Sequence, residues 1–168
     1  MKIGVISDTH LEFTTPLLER VVKQYFEDVE LVLHAGDVTT PAVLEAFKGK
    51  ELVVVAGNMD TPEIKGRFPY KMTLSFNGFI IGLTHGSGSP FGIVRRIRSL
   101  FPRVDCIVFG HTHMVMNKRV GDILFFNPGS FRACIPHLWR RTIGILDIKD
   151  KIEGRVIHVS NSLLHKSY

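Results

Sequence analysis

His111 and His113 stand two residues apart, directly after Gly110 and at the end of the apolar run Cys106-Ile107-Val108-Phe109. Neutral imidazole is the commonest protein metal ligand, and it binds where further donors hold the same ion. Four other apolar runs end in residues able to supply those donors. Residues 2–7 lead into Asp8-Thr9-His10, residues 31–35 into Gly36-Asp37, residues 52–56 into Gly57-Asn58, and residues 80–84 into His85-Gly86. Taken singly, Asp8, Asp37, Asn58 and His85 serve equally well as caps or turn residues, since such side chains bond local backbone readily. Their joint placement with His10, His111 and His113 at strand ends points to metal. Mixed oxygen and nitrogen donors suit Mn, Fe, Zn or Ni better than Ca or a lone Mg, and no thiolate is present to make a closed structural zinc site. Seven donors are too many for one tetrahedral ion and about right for two divalent ions sharing a carboxylate.

The elements that must position these residues follow from the same runs. Near-continuous Val, Ile and Leu is the pattern of strands buried on both faces, and open α/β sheets bind ligands outside the carboxyl ends of such strands. Five strands would deliver their polar tips to one edge. Gly36, Gly57 and Gly110 precede a candidate ligand and Gly86 follows one, which allows positive φ and close backbone approach. Thr15-Pro16, Thr40-Pro41, Thr61-Pro62 and Ser89-Pro90 each predict a hydroxyl N-cap with proline at the first helical position. The expected unit is strand, ligand loop and capped helix, four times over. The first helix should run to about residue 28 with Leu18, Val21, Val22, Tyr25 and Val29 buried, and the second should stop at Gly49. About one helical turn should follow Asn58. Hairpins are expected about Asn77-Gly78, Gly121-Asp122 and Lys149-Asp150-Lys151, and residues 160–168 read as a tail, loose or held by a partner. Crossover units followed by hairpins suggest two mixed sheets packed face to face with helices outside, but periodicity alone leaves a single doubly wound sheet open.

At 168 residues the chain is expected to be one domain over 1–168, and 45% hydrophobic with 22% charged residues is the balance of a soluble globular protein. Cys106 and Cys134 form no disulfide framework, which fits a reducing cytosol. There is no secretory leader pattern and no apolar run of the ~20 residues that span a bilayer, so a cytoplasmic protein is expected, with no membrane partner. A net charge of +5 favours anionic substrates by long-range steering. Arg95, Arg96, Arg98 and Arg103, with the smaller pair Arg140 and Arg141, do not form a nucleic-acid stripe. The first four alternate with Ile93, Val94, Ile97, Leu100 and Phe101 as the solvated face of a helix on a sheet would. His34, inside a strand run, reads as a packed histidine, and His137, His158 and His165 have no assigned role.

In this order, Asp8-x-His10, Gly36-Asp37, Gly57-Asn58, His85-Gly86 and Gly110-His111-x-His113 resemble the calcineurin-like metallophosphoesterases. Asn127-Pro128-Gly129-Ser130 adds a likeness to that family's small bacterial and archaeal phosphodiesterases. The resemblance runs from residue 1 to about 159. It implies an α/β (α+β) fold, a four-layer α-β-β-α sandwich of two mixed sheets flanked by helices. It also implies that Asp8, His10 and His113 hold one metal, Asn58, His85 and His111 the other, and that Asp37 bridges them. A carboxylate has two oxygens and can span two ions, which agrees with that division. Two cations ~3.5 to 4 Å apart lower the pKa of a bridging water and clamp the phosphoryl oxygens, so a bridging hydroxide would attack a small-molecule phosphodiester in line. Asn58 is also expected at the substrate, and Arg132 is a candidate bidentate contact to its phosphate. Asn127-Pro128-Gly129-Ser130 reads either as a plain turn or as a segment orienting the ligands.

One position departs from the pattern. Many members of the family have histidine after the asparagine, thought to help protonate the leaving group; here it is Met59, whose thioether has no proton to give, while Asp60 is retained. A bias toward weakly basic leaving groups follows. Alternatives remain: a protein-interaction scaffold of the same fold, as in the related retromer subunit, a phosphomonoesterase or protein phosphatase, or a nuclease. The full ligand set argues against the scaffold, and the lack of long insertions against the phosphatase and nuclease. Homo-oligomer formation stays open.

Overall fold

The computed structural model describes residues 1–132 and 141–160; Cys134, His137, Arg140, His165 and the expected tail beyond Ser160 lie outside them. In chain order the elements are β1 (Lys2–Ile6), α1 (Pro16–Tyr25), β2 (Leu31–His34), a 3-10 segment (Pro41–Phe47), β3 (Leu52–Val54), α2 (Pro62–Arg67), β4 (Lys71–Phe76), β5 (Phe79–Thr84), α3 (Ile93–Arg98), β6 (Cys106–Val108), β7 (Met116–Val120), β8 (Ile123–Asn127), β9 (Arg141–Ile148) and β10 (Ile152–Val159).

The strands form two sheets, ordered β10-β9-β1-β2-β3 and β4-β5-β6-β8-β7. In the first, β1, β2 and β3 are parallel and β9 runs antiparallel to β1. In the second, β5, β6 and β8 are parallel, with antiparallel partners at both edges. Both sheets are therefore mixed, and a single doubly wound sheet is excluded.

Side-chain alternation makes the layers. Ile3 and Val5 of β1, with Leu31 and Leu33 of β2, meet Ile81, Val108 and Phe126 between the sheets. Ile6 and Val32 face the other way, onto Leu18, Val21 and Phe26 of α1 and its C-terminal end. Ile107 and Phe125 of the second sheet face Ile93, Ile97 and Phe101, in α3 and just beyond it. Burying each such side chain contributes roughly 1.5 to 3 kcal/mol, so the order helix, sheet, sheet, helix follows from where the apolar faces point. This is the four-layer sandwich that the resemblance implied.

All three hairpins form. Asn77 and Gly78 both have positive φ, at 51° and 83°, the requirement of a type I′ turn, and Phe76 pairs with Phe79 across it. Arg95, Arg96, Arg98 and Arg103 are exposed, as expected of a solvated face, although Leu100 is exposed with them.

The helix starts differ from expectation. Thr15 does cap α1, accepting from the Leu18 N–H at 3.2 Å, but α1 ends at Tyr25 rather than near residue 28. Thr40 donates its hydroxyl to the Glu12 carbonyl at 2.6 Å and precedes a 3-10 segment instead of a helix. Thr61 makes no side-chain cap. Ser89 accepts from the Phe91 N–H, and the N-cap of α3 is Gly92. The hydroxyl-capped helix thus occurs once: the Thr40 and Ser89 hydroxyls are taken by loop contacts, and Thr61 stands at the start of α2 with its buried Oγ1 in no hydrogen bond. No helix among the described residues is long and apolar enough to cross a membrane.

Candidate metal centre

The loops after β1, β2, β3, β5 and β6 meet at one edge, where backbone bonds tie them together. The Asp8 N–H donates to the Gly36 carbonyl at 3.0 Å, His10 N–H to the Asp37 carbonyl at 3.1 Å, and Gly110 N–H to the His85 carbonyl at 3.2 Å. The backbone here is unusual. Asp8, His10, Asp37, His111 and His113 have φ of 52°, 46°, 54°, 67° and 56°. Left-handed geometry in residues other than glycine is uncommon and concentrates where surrounding structure holds a functional arrangement. The expected glycine roles divide accordingly. Gly36 does turn the chain, with φ of 91°. Gly57 and Gly110 lie outside that region and matter for space: a Cβ on Gly57 would overlap Asp37 Oδ1, and one on Gly110 would overlap Ser7 Oγ.

All seven candidate side chains are brought together. His10 Nε2 lies 3.2 Å from His113 Nε2 and 3.6 Å from Asp37 Oδ2, while His113 Nε2 lies 3.1 Å from Asp8 Oδ1. His85 Nε2 lies 3.3 Å from Asp37 Oδ2 and 3.2 Å from Asn58 Oδ1, which is 2.9 Å from His111 Nδ1. Asp8, His10 and His113 form one group able to hold an ion, and Asp8, Asp37 and His85 form another. A sharing carboxylate was expected to use both oxygens. Here Asp37 Oδ2 faces both halves, and Oδ1 accepts from the Met59 N–H at 2.7 Å.

Two ring orientations are fixed by carbonyls. His85 Nδ1 is 2.7 Å from the Ala35 carbonyl, and His111 Nε2 is 2.7 Å from the Gly88 carbonyl. A carbonyl only accepts, so the ring hydrogens belong on those nitrogens and the lone pairs of His85 Nε2 and His111 Nδ1 turn inward. Those lone pairs meet the oxygens of Asp37 and Asn58. Between His10 and His113 a single hydrogen can sit. Acceptor therefore faces acceptor across the cluster, an arrangement that only protons or cations relieve, and the mixed nitrogen and oxygen set fits divalent transition-metal ions.

The titration shifts express the same crowding. Burial pushes the Asp37 carboxyl up, but its hydrogen bond with His85, the charge of His85 and the Met59 N–H hold it below its ordinary value. Burial pushes His85 down, yet the contact with Asp37 and the charges of Asp8 and Asp37 lift it above. His113 is raised by its hydrogen bond to Asp8. His10 is lowered by burial. His34, fully buried, is pushed down to about 3 by desolvation and packs edge-on against Phe47 with Nε2 3.2 Å from Thr9 Oγ1, a packed histidine as expected.

Other residues hold the loops of the candidate ligands; of these, the sequence offered the task only to Asn127-Pro128-Gly129-Ser130, as one of two readings. Ser7 Oγ donates to Asp8 Oδ2 at 2.5 Å. Asp60 accepts the Thr39 and Gly57 N–H groups, each at 2.6 Å, and so ties the loop of Asp37 to that of Asn58. Asn127 Nδ2 donates to the Gly110 carbonyl at 2.8 Å, and Ser130 Oγ to the Asp8 carbonyl at 3.0 Å. The segment Asn127-Pro128-Gly129-Ser130 therefore ties down the loops of Asp8 and His111 and is more than a plain turn. Its signal was present, since Asn127 ends an apolar strand as the candidate ligands do. Arg132 is exposed beside the cluster; its backbone N–H donates to the Asp8 carbonyl, and its charge opposes protonation of His10 and His113.

A sequence profile of the calcineurin-like phosphoesterase superfamily domain matches residues 1–151. The chain is 34% identical over 160 residues to a probable metallophosphoesterase of Methanothermobacter thermautotrophicus, covering 94% of this chain and 92% of that protein. It is 29% identical over 168 residues to a phosphodiesterase of Methanocaldococcus jannaschii, covering 90% and 95% respectively. Among solved structures, one described as a novel archaeal phosphodiesterase aligns with a TM-score of 0.79 at 26% identity, over 95% of this chain and all of the other.

Proposed function

The chain belongs to the calcineurin-like phosphoesterase superfamily, and from that premise we propose that it is a dinuclear-metal-dependent phosphodiesterase acting on a small-molecule phosphodiester. The observation that carries the reading is the convergence of inward-facing acceptor atoms from Asp8, His10, Asp37, Asn58, His85, His111 and His113. Asp8, His10 and His113 would hold one divalent ion, and Asn58, His85 and His111 a second, with Asp37 common to both. Mn, Ni, Zn and Fe all suit these donors. When bound, such a pair activates water and offsets charge on the phosphoryl group during in-line displacement.

The protein's own groups do the rest. Asp37 stays ionised at neutral pH because His85 and the Met59 N–H face it. The Ala35 and Gly88 carbonyls hold the rings of His85 and His111 so that a neutral nitrogen points inward. Asn58, with Oδ1 turned to those rings, keeps its Nδ2 to donate to a phosphoryl oxygen, and Arg132 offers a planar fork to the phosphate. The similarity to a phosphodiesterase of M. jannaschii supports diesters over monoesters. A single domain over 1–168 and a cytoplasmic location go with this reading.

The test is metal analysis of protein purified without chelator, with rates on bis(4-nitrophenyl) phosphate and 4-nitrophenyl phosphate under Mn, Ni, Zn and Mg. Bound transition metal and faster diester cleavage are expected. Dominant monoester cleavage overturns the diesterase assignment. Absence of both metal and hydrolysis would assign the fold to protein interaction.

A further inference from the structure

A cavity of about 600 Å³ opens directly beside Asn58 and His85. Its wall is built from Tyr70 and Lys71 at the start of β4, Gly86 after β5, and Ile97 and Leu100 at the end of α3 and beyond. The size is that of a small-ligand site. Tyr70 is 63% exposed and Leu100 37%. A single exposed apolar residue needs no explanation, but these two line one cavity that shares two residues with the candidate centre.

The cavity is braced. Thr84 Oγ1 donates to the Tyr70 carbonyl at 3.1 Å, and Lys71 Nζ donates to the Leu100 carbonyl at 3.1 Å, which links its two sides. Its charge is of one sign: Lys71 and Arg96 line it and no carboxylate does. An apolar, preformed recess with cations at its wall, continuous with a phosphate-binding centre, matches an anion that carries a flat apolar group.

A phosphodiester has two substituents, one that leaves and one that stays on phosphorus. We propose that this cavity receives the substituent that stays, and that it selects an aromatic one, an aryl ring or a nucleobase, seated against Tyr70 and Leu100. The proposal rests on the diesterase reading and specifies its substrate class.

Three diesters sharing 4-nitrophenolate as leaving group test it: methyl, phenyl and thymidine-5′ 4-nitrophenyl phosphate. The aromatic esters should exceed the methyl ester in kcat/KM by about tenfold, the effect of removing a ring's extra apolar surface from water. Whichever of phenyl and thymidine leads identifies the source of the ring. In Tyr70→Ala and Leu100→Asp the aromatic-to-methyl ratio should fall toward one; both sites are partly exposed, and circular dichroism checks that the variants fold. Equal kcat/KM across the series, or a preference that survives both substitutions, overturns the proposal. A second measurement separates the two readings. Calorimetry should show metal-loaded protein binding phenylphosphonate more tightly than methylphosphonate, with the difference lost in Leu100→Asp. If none of the diesters is turned over, the diesterase reading fails while this comparison still decides the cavity: equal binding of the two phosphonates overturns it.

Discussion

His111 donates from Nε2 to the carbonyl of Gly88 at 2.7 Å, so the direction of a candidate metal ligand depends on a loop without regular structure. That loop hangs on one guanidinium: Arg96 donates from Nε to the Ser87 carbonyl at 3.1 Å, from Nη1 to Phe91 at 2.9 Å, and from Nη2 to Ser89. Arg96→Ala should weaken metal binding about tenfold, the lower end of what partners that orient a ligand contribute. Arg96→Lys keeps the charge but loses the fork and should recover little. Arg95→Ala, at an exposed neighbour, should change nothing. Metal titration calorimetry decides; equal affinity in all three would show that the loop holds itself.

Metal uptake should release protons. Their carboxylate partners raise His85 and His113 above the ordinary histidine value, whereas an ion requires both rings neutral. Apparent affinity should therefore fall as pH drops through those raised values, about tenfold per pH unit for each proton displaced. The same shifts stabilise the metal-free fold fully below the ordinary histidine value, and that contribution is lost as pH rises through the raised ones. Thermal melts with and without chelator should show metal stabilising more at about pH 8 than at about pH 6.

His34 acts with the opposite sign. Buried and held to about 3 against an unfolded value of 6.5, it stays neutral in the fold while the unfolded chain takes a proton. Stability is full above the unfolded value and declines as pH falls from there toward 3, at about 1.4 kcal/mol per pH unit from this residue. Urea unfolding across that range should be less steep in pH for His34→Gln than for the natural chain, whatever the variant's stability at neutral pH. Parallel slopes would show that another group takes up the proton.

Met59 is 60% exposed beside Asn58, and its side chain, unlike its backbone N–H, offers the edge of the centre no proton. Diesters with weakly basic aryl leaving groups should be cleaved far faster than alkyl ones. Met59→His should raise alkyl cleavage by up to about a hundredfold, the scale of a positioned general acid, with little gain on aryl esters. Equal turnover of aryl and alkyl diesters by the natural chain would contradict this account.

What could be read in advance, and what could not, divides by the range of the interaction. Apolar runs ending in Asp8, Asp37, Asn58, His85 and His111 are local patterns, and the strands formed where those runs lie. The Asn77-Gly78 turn was likewise legible because its φ requirement sits within two residues. Thr40 misled because its hydroxyl has a better partner in Glu12, 28 residues away. Ser130 reaches the Asp8 carbonyl across 122 residues, and Asp60 joins two loops through backbone N–H groups, contacts with no trace in local spacing. The left-handed backbone fell on the candidate ligands Asp8, His10, Asp37, His111 and His113 rather than on Gly57 and Gly110, because those glycines are needed where the loops press together.

Each group of three draws on both sheets: Asp8 and His10 follow β1 and Asp37 follows β2, whereas His85 follows β5 and His113 follows β6. His10 and His113 are 103 positions apart. A chain still emerging from the ribosome accordingly has no complete cradle for an ion until the later strands have been made and have docked on the earlier ones. Any ion held there would enter only after the two sheets have docked, so occupancy would report a finished fold.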